Sequence, residues 1–468
     1  GTQTAPETAA GYMRKKLRTL TVLAFLVCCF LVIRDMDIQP TEAPVSGAAL
    51  VESMLEEKAG KTAESLAIDR TKEEIELPER YDYREEGRSV PARDQGQHGT
   101  CWAFAGLTAL ETALMPEKQY DFSPDHLNYH NHFKMGTEEG GSYIMSMAYL
   151  TSWAGPVLEQ DDPYGDGQSP DDLQAVCHVQ EVRMPDAKDY QAIKQTVYLY
   201  GGVESSLYMD FTEYTGQSDY YSEEHKSYGY TGQEASNHDV VIIGWDDGYP
   251  ADNFNRTMQG DGAFICQNSW GNEFGEDGVF YVSYYDTNIG SDNVAYTRID
   301  APDNYDTLYQ SDLCGWCGQI GYNTEKASFA NVYEAVGNQE LKAVGFYATG
   351  PDTEYRISIQ PEFTDATSLG EAQILQSGYL QYAGYYTVDL TEAVSVCAGD
   401  RFAVIVQITT PGSQYPIAVE YASDELQDAV DLSDGEGYIS ADGYLYWERV
   451  ETEQQSNLCL KVYASDRN

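Results

Sequence analysis

The sequence predicts an α+β domain over residues 77–300 followed by an all-β sandwich over residues 301–468. Three observations carry this. The chain has 468 residues, which at roughly 100–200 residues per folded unit makes two or three units. One segment, from Cys101 to about Leu114, continues W-A-F-A-G-L-T-A-L-E-T-A-L after the cysteine and stands among strand-like runs. It is apolar around most of a helical circumference, the mark of a buried helix. Beyond about residue 301 the helical signal nearly vanishes, and seven short strand-like runs follow between turn residues.

Composition supplies cores and restricts partners. Hydrophobic residues make up 42% and aromatic residues 12% of the chain, which excludes wholesale disorder. Lys and Arg number 28 against 76 Asp and Glu, a net charge of -48, yet the charged fraction is an ordinary 22%. The acidity therefore comes from scarce bases. It is spread evenly, with 38 acids and 12 bases in residues 77–300 and 26 acids and 7 bases in residues 301–468. A field this negative excludes nucleic acid and anionic lipid as partners of the folded part and favours basic peptides.

Along the chain, residues 1–12 read as a leader ahead of Met13. No acid occurs from Met13 to Arg34, where Arg14, Lys15, Lys16 and Arg18 precede an apolar run from Leu20 to Ile33. Residues 13–34 thus read as a signal peptide or an N-terminal membrane anchor, the run being shorter than the roughly 20 residues of a spanning helix. Both readings stay open. Either makes the remainder secreted or cell-surface, anchored by residues 20–33 if the segment is not cleaved. Residues 35–76 hold 11 acids, 4 bases and no aromatic residue, an acidic linker or short pro-segment with a short helix around Leu50 to Ala67. A segment this short predicts little autoinhibition. After the helix at Cys101, residues 237–246, 262–270 and 278–284 read as buried strands. In the C-terminal part, strands are expected at Lys342–Thr349, Tyr355–Gln360, Tyr385–Leu390, Arg401–Thr409, Tyr415–Tyr421, Gly443–Arg449 and Leu458–Ala464. Alternation puts Phe402, Val404, Val406 and Ile408 on one face.

The chemistry starts from Cys101. A thiol at a helix N-terminus feels the positive end of the dipole, which favours thiolate. A thiolate nucleophile also needs a cationic partner and an oxyanion site. Gln95 lies six residues upstream across two glycines, where its amide can donate beside the Cys101 N–H. Of seven histidines, only His238 sits on a strongly apolar strand. Asn268, on the next strand-like segment, can accept the imidazole N–H, and Trp270 can cover that bond.

Q-G-Q-H-G-T-C-W-A-F, N-H-D-V-V-I-I-G-W and Q-N-S-W-G, in this order, resemble the papain family of cysteine peptidases over about residues 77–300. The start L-P-E-R-Y-D-Y-R resembles the mature start of bacterial members. The resemblance implies a two-lobed papain-like domain and a peptidase without cofactor or metal, acting on protein or peptide substrates. It implies Cys101, His238, Asn268 and Gln95 as catalytic. It also implies a substrate-pairing role for Gly140 and Gly141, a place for Asp239 at the border of the P2 pocket, and Trp270 as a further substrate-binding residue; a polar or basic P2 side chain is then expected, against an Asp paired locally. His98 stands where such enzymes usually carry a disulfide cysteine, so that crosslink is absent; a loop histidine is expected there. The acidic loop Asp246–Gly262 is an insertion beside the active-site half.

Other candidates are weaker. His126, His130 and His132 lie close together, but no Cys or acid completes a zinc pattern, and a surface helix is expected. Acidic loops such as Tyr164–Asp172 match no EF-hand. Outside Cys28, Cys29 and Cys101, six cysteines remain, an even number compatible with disulfides outside the cell; C-G-W-C at Cys314–Cys317 lacks the strand-to-helix context of a redox pair. Y-D-T-L-Y-Q-S-D-L-C-G-W, F-A-N-V-Y-E-A, E-L-K-A-V-G-F-Y and G-Y-Y-T-V-D-L resemble the lectin-like, jelly-roll-type β domain that follows papain-like domains in bacterial peptidases. That resemblance implies a cell-surface glycan as partner; an inert scaffold is the alternative. The function expected is an exported cysteine endopeptidase. Its rival is a surface adhesin with an idle peptidase domain.

Overall fold

The computed structural model describes residues 68–135, 138–211, 217–423, 426 and 428–467. The leader, the signal or anchor segment and the expected helix around Leu50 to Ala67 lie outside the described residues. No helix among the described residues is long and apolar enough to cross a membrane.

Among the described residues, four α-helices build the first unit: α1 (Cys101–Leu114), α2 (Pro124–His130), α3 (Tyr143–Thr151) and α4 (Tyr190–Leu199). The α1 sequence is apolar all round, and Trp102 to Thr112 are all buried. Gly106 lets α3 come close, since a Cβ there would lie 2.7 Å from Ser146 Oγ. The expected strands form as His238–Asp246, Ala263–Gln267 and Val279–Ser283, paired antiparallel in sequence. Strand Val203–Leu207 lies on the other side of His238–Asp246 and sets Leu207 opposite His238.

The C-terminal unit is a sandwich. Phe402, Val404, Val406 and Ile408 share one core with Leu341, Val344, Phe346 and Val462, as their alternation requires. The opposite face is covered too: Ala403 and Ile405 pack with Phe363 and Leu369. Two expected strands differ. Gly443–Arg449 is strand only at Glu448–Arg449, because Asp442 Oδ1 accepts the N–H groups of Tyr444 and Leu445 at 2.7 and 3.1 Å and turns the chain there. The strand expected from Leu458 is split, Ser456–Leu458 joining a small three-stranded sheet and Leu460–Asp466 a larger one.

That larger sheet has 13 strands and runs through both units. Strand Ala383–Val396 of the C-terminal unit pairs with His178–Met184 of the first, Tyr385 opposite Val182. One apolar core holds Trp102 and Tyr149 together with Cys314, Tyr347, Tyr385 and Cys459. The end of the acidic linker lies across the join. The Glu73 N–H donates to Gln381 at 2.8 Å, and its carboxylate accepts from Arg183 at 2.8 Å and Tyr200 at 3.0 Å.

The cysteines depart from the disulfide expectation. All seven described are free thiols, five of them buried and Cys397 exposed. Buried in an apolar core, they act as small apolar side chains. The helix carrying His126 is likewise not a surface one: His126 is buried, with Nδ1 2.6 Å from the Tyr149 hydroxyl and its ring stacked 4.2 Å from that of His130.

Candidate active site

Cys101 is the first residue of α1 and is half-buried. Burial pushes the thiol well above its ordinary range, and the charge of Asp239 adds to this; main-chain N–H groups of Asp239 and Trp102 oppose it.

His238 opens its strand and is buried. Its Nε2 lies 2.7 Å from Asn268 Oδ1. That oxygen also accepts the Ser269 N–H at 2.8 Å, so it is the amide oxygen that faces the ring and Nε2 that donates. Nδ1 is then the nitrogen free to take a proton. Burial lowers His238 to about 4, with the Asn268 bond acting in the other direction. The Trp270 indole covers this pair at 4.8 Å between centroids, held edge-on by Phe211 and Phe274, each at 5.1 Å.

Gln95 is bound into the same cluster. Its amide oxygen accepts from the Ser269 hydroxyl at 2.7 Å, and Nε2 donates to the His98 carbonyl at 2.9 Å. One amide hydrogen remains for another acceptor. Two main-chain bonds zip this loop to the asparagine loop, Gln95 N–H to Ser269 O at 2.8 Å and Gly271 N–H to Arg93 O at 3.0 Å. The Tyr164 hydroxyl braces it from the far side, 2.8 Å from both Gln95 O and Thr100 Oγ1.

Gly140 and Gly141 lie against α1. A Cβ on Gly141 would sit 2.4 Å from Trp102 Cε2, so only bare backbone fits on the indole. Asp239 is buried rather than open to solvent and accepts from Ser206 Oγ at 2.5 Å. Burial pushes Asp239 up to about 7, partly opposed by that bond. Behind it stands Glu204, also buried, with no hydrogen-bond partner for either carboxyl oxygen. Burial first, and Asp239 next, push Glu204 well above the usual carboxylate range.

The structure gathers Gln95, His238, Asn268 and Trp270 in one cluster; Glu138, Tyr164, Glu204, Ser206 and Ser269 are not among the expected site residues. Only Ser269 had a signal, its place inside Q-N-S-W-G. Glu204 and Ser206 lie on a strand buried on both faces, where alternation is silent. Among the described residues no group of three or more His, Cys, Asp and Glu is arranged to hold a metal ion.

Residues 77–298 match the model of the papain family cysteine protease, and residues 308–464 match that of the lectin like domain. Residues 77–298 thus form a domain of the papain family of cysteine proteases, and residues 308–464 a lectin-like domain. It is similar to the crystal structure of the cysteine protease and lectin-like domains of Cwp84, a surface layer associated protein of Clostridium difficile. The two are 25% identical, with 92% of this chain and 99% of that chain covered and a TM-score of 0.72. A second Cwp84 structure, determined after propeptide cleavage, is 26% identical over 83% of this chain and 99% of that chain, with a TM-score of 0.73. The viral cathepsin of Heliothis zea nuclear polyhedrosis virus is 27% identical over 45% of this chain and 53% of its own length. The chain spans 47–63% of the length of this and three further curated relatives.

Proposed function

We propose that the chain is an exported cysteine endopeptidase that hydrolyses peptide bonds through Cys101 and His238. The observation that carries this reading is the His238–Asn268 bond of 2.7 Å, roofed by Trp270 and zipped to Gln95. In the resting site each partner alone favours its neutral form. Moving the Cys101 proton to His238 Nδ1 creates both charges together. Two unit charges about 4 Å apart attract by about 4 kcal/mol at the effective dielectric of a protein site, which offsets much of the burial cost.

The thiolate then attacks the scissile carbonyl carbon. A C–S bond forms and the carbonyl π pair moves to oxygen, which accepts from the Cys101 N–H and the remaining amide hydrogen of Gln95. His238 gives its proton to the leaving amine as the C–N bond breaks. Water, deprotonated by His238, attacks the thioester, and the acid leaves with the thiol restored. Gly140 and Gly141 offer main chain to an extended substrate. For the C-terminal unit, the continuous sheet supports a scaffold role, beside which glycan binding at the cell surface is a second role carried by the lectin-like family alone. The basic and apolar segment at residues 13–34 supports export.

The test is labelling of the full chain with an epoxide that alkylates thiolates. Modification at Cys101, lost in His238→Ala, is expected, together with hydrolysis of a peptide library. Absence of both labelling and hydrolysis would leave a binding protein. Glycan binding is read separately on an array with the Cys101→Ala chain.

A further inference from the structure

His98 makes a contact that the hydrolytic steps do not themselves require. It lies in the loop leading into α1, and its Nδ1 is 2.6 Å from Glu138 Oε1. Glu138 stands two residues before Gly140. The two loops touch at the same point: a Cβ built on Gly99 would lie 3.4 Å from both Cα and N of Gly140. On its main-chain side, His98 accepts the Gln95 amide at 2.9 Å. A single residue is therefore bonded to the oxyanion amide through its carbonyl and to the glycine segment through its ring.

We propose that the His98–Glu138 pair is a positioning staple that fixes the Gly140–Gly141 segment against Gln95 and Cys101, and so sets the register of a bound peptide relative to the oxyanion donors. The proposal rests on the reading of this cleft as a peptide-binding site. Its physical need is local. Gly96 and Gly140 both have positive φ, +62° and +79°, and Gly99 and Gly141 carry no side chain to lock either loop. Both side chains of the pair are well exposed, at 51% and 63%, so the pair adds little to global stability. What it restricts is the relative position of two glycine-rich loops, where small displacements lower catalytic efficiency.

The test uses the full chain in two settings. With Cys101→Ala, calorimetry measures the affinity of a peptide long enough to lie along Gly140–Gly141. His98→Ala and Glu138→Gln are each expected to weaken it roughly two- to fivefold, the range that a side-chain contact this exposed supplies. The double variant is expected to be no worse than either single one, and His98→Lys, which keeps a hydrogen-bond donor opposite Glu138, to restore binding. With Cys101 present, the same variants raise KM for the long peptide and leave kcat within about twofold. A short substrate that ends before the glycine pair is unaffected. Additive losses, equal effects on long and short substrates, or no rescue by His98→Lys would overturn the staple. Normal calorimetric behaviour with no hydrolysis by the wild-type chain would count against the peptidase reading and leave the staple standing.

Discussion

Replacing Asp239 by asparagine tests the electrostatics of the site through stability alone. The Asp239 carboxyl is buried, bonded to Ser206, and raised from 3.8 to about 7, chiefly by burial. In the unfolded chain it loses its proton near the ordinary value. Between about pH 4 and pH 7 the unfolded state therefore binds fewer protons than the folded one, and stability falls as pH rises. At 1.36 kcal/mol for each pH unit of that window, the loss is roughly 4 kcal/mol. Asparagine has no proton to lose. In a Cys101→Ala background, which prevents autolysis, urea unfolding of the chain that keeps Asp239 is compared with that of its Asp239→Asn variant from pH 4 to pH 8. The amide's own fit at Ser206 adds an offset that does not vary with pH. The difference in unfolding free energy is expected to move in favour of Asp239→Asn by up to roughly 4 kcal/mol between pH 4 and pH 7, then level off. A difference independent of pH, or one moving against the variant as pH rises, would refute the reasoning.

Other consequences follow from the same geometry. Gln95→Ala removes the proposed oxyanion donor and should lower kcat/KM by about 10²–10³, measured with a peptide amide, while epoxide labelling of Cys101 persists. Gly106→Ala forces a methyl to within 2.7 Å of Ser146 Oγ, and thermal unfolding should show a loss of about 1–3 kcal/mol. His238, lowered to about 4 by burial, works against Asp239 in its pH sense: the folded chain resists its protonation, so stability falls as pH drops from about 6.5 to 4. In His238→Gln that part of the acid loss should disappear from the urea midpoints.

The legible parts of this molecule were those with a period or a punctuated motif. The apolar circumference of α1 marked its limits at Cys101 and Leu114. Gln95, His238, Asn268 and Trp270 stood in short motifs, and the fold converges them through the main-chain zipper between residues 93–95 and 269–271. Local pattern does not report long-range polar pairs. Glu204 and Asp239 come from adjacent strands, and the cost of placing them together is a property of burial. His98 and Glu138 are 40 residues apart, joined by a loop contact with no periodic signal. The Gly443–Arg449 run failed as a strand because the Asp442 side chain competes for the backbone N–H groups that a ladder would use.

The shared sheet makes the C-terminal unit part of the peptidase's own architecture. From the C-terminal strand Ala383–Val396 the order runs through His178–Met184, Asn293–Asp300 and Val203–Leu207 to His238–Asp246, which carries His238. Ending the chain at residue 300 would strip the partner from strand His178–Met184 along Met184 to Glu181. It would also bare an apolar surface that now packs against Cys314, Tyr347 and Tyr385. An unpaired strand edge beside exposed apolar surface is a template for aggregation. The unit of residues 77–300 produced alone should therefore be insoluble or associate in sedimentation, whereas the full chain stays dispersed. A monomeric, fully active product from residues 77–300 would show that the shared sheet is dispensable, and the case for the C-terminal unit as scaffold would fall, leaving surface binding as its function.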